Sequence, residues 1–218
     1  SKAAAMTGSS PPGSNNQWRS AVVRSAAGTE VTGGLQNECQ QMCQKATGAL
    51  QGTERSEFML DGLSAALQAR SESSSEEDVK YTPSLVGCFR TRRPFKVDLA
   101  SYLLRIRQYI PCSDACFVLS LVYIDRIAQK ESLLIVDGMT CHRLVLTSIM
   151  LATRFHDDEE ELRYDNAFFA KVGGFRAAEL ATMEKAFLQL LCWRLFVSVA
   201  EYDQYLKVMS AASLHDNV

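Results

Sequence analysis

The chain has 218 residues, 47% of them hydrophobic, which is enough to build one real core plus a tail. Its net charge of -2 and pI near 6.0 argue against broad affinity for nucleic acid or membrane surfaces. No stretch approaches the roughly 18 uninterrupted apolar residues of a membrane span, and the seven cysteines, odd in number and scattered, predict reduced thiols in cytosol or nucleus rather than a disulfide framework.

Residues 1 to about 31 are rich in Ser, Gly, Ala and Asn and carry no apolar period, so they are predicted to be disordered. A short amphipathic helix is expected over 56–70, with Phe58, Met59, Leu63, Ala66 and Leu67 as its stripe. The acidic, Ser-rich run from Ser71 to Lys80 reads as a linker with possible phosphate acceptors. This division makes 1–80 a flexible extension, 81–211 the folded domain and 212–218 a tail.

In the domain, Leu99, Tyr102, Leu103, Ile106, Tyr109 and Ile110 form a helical stripe ended by Pro111. A second helix, which Ser113 or Asp114 can cap, is apolar on most of its circumference through Phe117, Val118, Leu121, Val122, Ile124 and Ile127. The third stretch, Cys141 to Phe155, is apolar on almost every side, and such a helix must be surrounded by others. A short helix around Asn166 to Lys171 should stop at Gly173 and Gly174. A fifth is expected from Arg176 to Leu195, and Val199 to Ala211 offers a sixth. The predicted fold class is therefore all-α, a bundle around a central third helix.

Charges placed among apolar positions single out candidate functional residues. Glu184 lies amid Leu180, Phe187 and Leu188, where an unpaired carboxylate is costly. Either it is paired inside the fold, with Arg154 as the natural neighbour, or the face is a docking surface. Asp125 breaks the second helix in the same way, and Arg105 is its expected partner in a buried ion pair, with Lys96 and Arg107 as substitutes.

Four strings occur in order: YIDRI (Tyr123–Ile127), HRLVLTSIMLATRFHDD (His142–Asp158), YDNAFFAKVGG (Tyr164–Gly174) and MEKAFLQLLCWRL (Met183–Leu195). Together they resemble the cyclin box, and more narrowly the phosphate-regulation, or P-type and U-type, group of cyclins, over about residues 81 to 207. The resemblance implies a five-helix box around a central third helix. It implies a regulatory subunit that binds and activates a cyclin-dependent Ser/Thr kinase, in cell-cycle control, with no catalysis, cofactor, metal or small-molecule substrate of its own. Arg154 and Glu184 match polar positions of the family's kinase contact, and Leu151, Phe155, Leu188 and Trp193 match its apolar ones. Only 23 residues follow Leu195, too few for a second box.

Two rival readings come from other classes. A metal-dependent hydrolase would need His142, His156–Asp157 and Asp165 together, yet on one helix the two His stand about 21 Å apart. Neither the cysteine spacing nor Cys141 beside His142 improves the case for a catalytic or zinc site. The other rival is a cyclin-fold adaptor that does not activate a kinase, with Arg90, Arg92, Arg93 and Lys96 as a local basic cluster. Binding of nucleic acid is not expected from the balance of charge.

Overall fold

The computed structural model describes residues 52–72, 85–157 and 164–215, all in the second of the chain's two units, 31–218. Among them are seven α-helices: α1 Gly52–Glu72, α2 Leu99–Tyr109, α3 Ala115–Ala128, α4 Cys141–His156, α5 Asn166–Gly173, α6 Ala177–Leu190 and α7 Val199–His215. A 3-10 turn, Leu85–Phe89, precedes α2. The expected disorder of 1–31 lies outside the described residues, as do most of the linker and of the acidic loop after Asp157.

Helix α4 is the central rod, touching α2, α3, α5 and α6. Every residue from Leu144 to Ala152 is buried. Its two enclosed hydroxyls are satisfied locally, Thr147 donating to the Arg143 carbonyl at 2.7 Å and Ser148 to that of Val145 at 3.0 Å. Helix α3 is enclosed nearly as fully, with Ala115 through Asp125 all buried.

What encloses α3 on its far side corrects the expected domain boundary. Helix α1 is longer than the 56–70 segment and packs on α2, α3 and α7, burying Met59, Leu60, Leu63, Ala66 and Leu67 in a helical stripe. It is a wall of the core and not part of a separate extension, so the folded body starts well before residue 81.

Local signals account for the helix ends. Asp98 and Asp165 cap α2 and α5 by accepting the Ser101 amide at 2.8 Å and the Phe168 amide at 2.9 Å. Asp114 occupies the cap position of α3, but its carboxylate turns to Arg107, 3.3 Å away. The two glycines after α5 have different reasons. Gly174 has φ 76°, a left-handed helix end, whereas a Cβ on Gly173 would collide with Leu146 of the central rod.

Helix α6 ends at Leu190, five residues short of the expected Leu195. Cys192 and Trp193 take φ of 51° and 62°, and the Trp193 amide closes the helix end on the Leu188 carbonyl at 2.9 Å. The apolar period continues through Leu191 and Leu195, both buried, because the chain folds back onto the core after the break.

Candidate functional site

The last turn of α4 brings Arg154 against α6. Its Nη1 donates to Glu184 Oε1 at 2.6 Å, and its Nη2 to Asn166 Oδ1 at 2.6 Å and to the Tyr164 carbonyl at 3.1 Å. Asn166 Nδ2 closes the ring on Glu184 Oε2 at 2.8 Å, and the guanidinium lies over the Phe169 ring, 5.2 Å from its centre. The two charged side chains retain only 18% and 15% of their exposure. Glu184 is thus paired inside the fold, the first of the two alternatives, and the planar fork of Arg is what allows one side chain to bind α5, α6 and the chain just before α5.

Around this ring the apolar candidates divide. Leu151 is fully buried and Leu188 is 3% exposed, so both are core residues and, in this form of the chain, offer nothing to a partner. Phe155 is half-buried, and Trp193 is 38% exposed. The His156 ring reaches the Leu195 carbonyl at 3.3 Å, which sets the end of α4, with Phe155, beside the turn that carries Trp193.

That turn is held by backbone carbonyls that no side-chain pattern advertises. Tyr123 donates to the Leu195 carbonyl at 2.7 Å and pairs with His156 at 2.9 Å. Arg126 donates to the carbonyls of Arg194 and Phe196 at 2.9 and 3.0 Å while forking onto Glu201 at 3.1 and 2.6 Å. The YIDR string therefore clamps the chain after α6, and two successive left-handed non-glycine residues, a strained arrangement, persist because the clamp surrounds them.

The match to known proteins agrees with this architecture. The cyclin family profile fits residues 54–195, a span that begins in α1 and ends at the clamped turn. The chain belongs to the cyclin family. Its sequence is 33% identical to Cyclin-U4-2 of Arabidopsis thaliana over 67% of each chain, and 39% identical to Cyclin-U1-1 of the same plant over 64% of each. It is 33% identical to Cyclin-P4-1 of Oryza sativa subsp. japonica over 58% of each. The match thus spans about two thirds of the first two relatives and less of the third. The P-type and U-type resemblance read from the four strings holds.

In this cyclin the expected Arg105–Asp125 pair does not form. Arg105 is on the exposed side of α2, with its Nη2 3.5 Å from the Lys171 carbonyl. Asp125 instead receives both arms of Arg70 from α1, Nε at 2.6 Å and Nη2 at 2.5 Å, while burial and the Asp125 charge push the Tyr205 hydroxyl of α7 up to about 12. The two substitutes are also elsewhere, Arg107 on Asp114 and Lys96 in the exposed loop before α2. A buried carboxylate needed a cation, as the pattern required, but that cation comes from the helix assigned to the extension.

The histidines are separately engaged. His142 bonds the Val97 carbonyl through Nε2 at 2.8 Å and stacks on Phe95, whereas His156 sits with Tyr123 at the opposite end of α4. Burial holds the His142 pKa below 6.5, against the pull of the Val97 and Asp98 carbonyls and the Asp98 charge. Among the described residues no group of three or more His, Cys, Asp or Glu is arranged to hold a metal ion, and no helix is long and apolar enough to cross a membrane. Burial also pushes the Cys88 and Cys141 thiols up, to about 11 and about 12.

Proposed function

We propose that this cyclin is the regulatory subunit of a cyclin-dependent Ser/Thr protein kinase, acting in the cytoplasm or nucleus in control of cell division. The observation that carries the reading is that two large aromatics remain accessible, Trp193 exposed in the turn after α6 and Phe155 half-buried in the last turn of α4, which a buried bridge ties to the middle of α6. Large aromatics on a rigid backbone are what a hot spot needs, because little side-chain freedom is lost on binding.

In the proposed mechanism Phe155 and Trp193 bury against the mobile helix of the kinase. The Arg154–Glu184 ring holds those aromatics in register by tying α4 to α6. Binding energy gained only with the helix turned inward shifts the kinase toward the state in which its catalytic Lys–Glu pair is assembled. The cyclin performs no chemistry and needs no cofactor.

Affinity purification of the tagged chain from a lysate of its source organism, with the eluate assayed for Ser/Thr kinase activity on a histone substrate, tests this. Recovery of an active cyclin-dependent kinase supports the reading. A folded chain that recovers none moves the adaptor reading to the front.

A further inference from the structure

Away from the Phe155–Trp193 end, the opposite end of α4 and α6 carries a dense set of cations. Arg92, Arg93 and Lys96 are exposed in the loop before α2, Arg105 is exposed on α2, Lys171 on α5 and Arg176 at the start of α6. Two contacts bring the segments that carry them together. The rings of Phe95 and Phe175, the residues just before Lys96 and Arg176, meet at 5.7 Å, and Arg105 approaches the Lys171 carbonyl. Among the described residues only Arg176 of the six has a carboxylate partner, Glu179 at 3.2 Å. The nearby Asp98 is engaged in capping α2.

The loop that presents three of these charges is fixed, although it has no regular structure. The Thr91 amide and hydroxyl both donate to the Met139 carbonyl at 3.0 Å, Phe95 stacks on His142 at 4.3 Å, and the Val97 carbonyl bonds His142. Like charges held together with few counter-charges destabilise the free protein, and an anionic partner relieves that repulsion while losing little to ordering of the loop. The overall charge of the chain is -2, so the face is a local excess and not a reflection of composition.

We infer that this face is a docking site for a carboxylate-rich segment of a partner protein. Six cations spread over a loop and three helices suit an extended acidic stretch better than a single phosphate. Helix α6 alone separates the face from the Trp193 turn by about 20 Å, so both ends can be occupied at once. The site does not depend on the kinase reading.

The test is fluorescence anisotropy on the full chain, with a labelled 14-residue peptide of alternating Glu and Ser as probe, at about 50 mM and about 200 mM salt. Lys96→Glu with Lys171→Glu should weaken binding about 10-fold or more, while Lys130→Glu with Lys207→Glu, an equal charge change on exposed positions elsewhere, should leave it within about 3-fold. All four are surface positions, and thermal melting verifies that each variant folds. Three results overturn the inference: no peptide binding by the wild type, equal weakening in both variants, or tighter binding of a single-stranded oligonucleotide of matching charge.

Discussion

Arg154 and Glu184 lie 30 residues apart in sequence and 2.6 Å apart in space, and their contact joins the central rod to α6 with Asn166 closing the ring. Removing one member leaves the other charge largely enclosed. Arg154→Ala should destabilise the fold by roughly 3 kcal/mol, and Arg154→Ala with Glu184→Ala by less than the sum of the two single changes. Urea denaturation of the four-member cycle measures it; strict additivity would show that the pair is not coupled.

Helix α1 is the subject of a second prediction. Leu63 and Leu67 are fully buried, and Arg70 neutralises Asp125 of α3. Leu63→Ala should cost about 2–5 kcal/mol. A chain beginning at residue 81 should fail to give a cooperative melt, because it uncovers α3 and strands Asp125. A cooperative transition unchanged from that of the full chain would restore the boundary at 81.

How far the sequence discloses this fold can be judged from the same residues. Helices α2, α4 and α5 follow from stripes and stop signals that lie within each segment. The Arg154–Glu184 pairing was likewise legible, since both charges interrupt apolar faces. Helix α1 was set apart because a Ser-rich acidic stretch follows it. Yet an α3 apolar on most of its circumference demanded more cover than five helices supply, and that was the available signal. Arg70 was missed as the partner of Asp125 because the two are 55 residues apart across that stretch. The end of α6 was misplaced because apolar periodicity is blind to a reversal of φ. The clamp on residues 194–196 uses backbone carbonyls, which every residue has.

The two glycines of the AKVGG string should respond unequally to alanine. At Gly174 the penalty is conformational, about 1–2 kcal/mol for a left-handed residue. At Gly173 the new methyl meets Leu146 in the central rod, and overpacking of about 1–3 kcal/mol should reach the Tyr102 hydroxyl bond to the Gly173 carbonyl as well. Gly173→Ala with Leu146→Ala should recover part of that loss, and Gly174→Ala with the same partner should not. Thermal melts of the four variants decide it.

Stability should depend on pH through His142. Its pKa in the folded chain is held below 6.5, so between that depressed value and about 6.5 the unfolded chain binds more protons. The contribution is fully present above about pH 6.5 and is lost as pH falls through the folded pKa. His142→Gln should flatten the rise in urea midpoint between about pH 5 and 7. A slope as steep as that of the wild type would assign the dependence to other groups.

The most direct test of the regulatory reading is titration calorimetry of a purified cyclin-dependent kinase, recovered with this cyclin, against variants that truncate the exposed Trp193 and the half-buried Phe155. Trp193→Ala and Phe155→Ala should each weaken binding by about 10-fold or more, as expected for central anchors, and reduce kinase activation in step, with thermal melts close to wild type. Undiminished affinity in the folded double variant would contradict the assignment of this end of the bundle as the kinase-binding face.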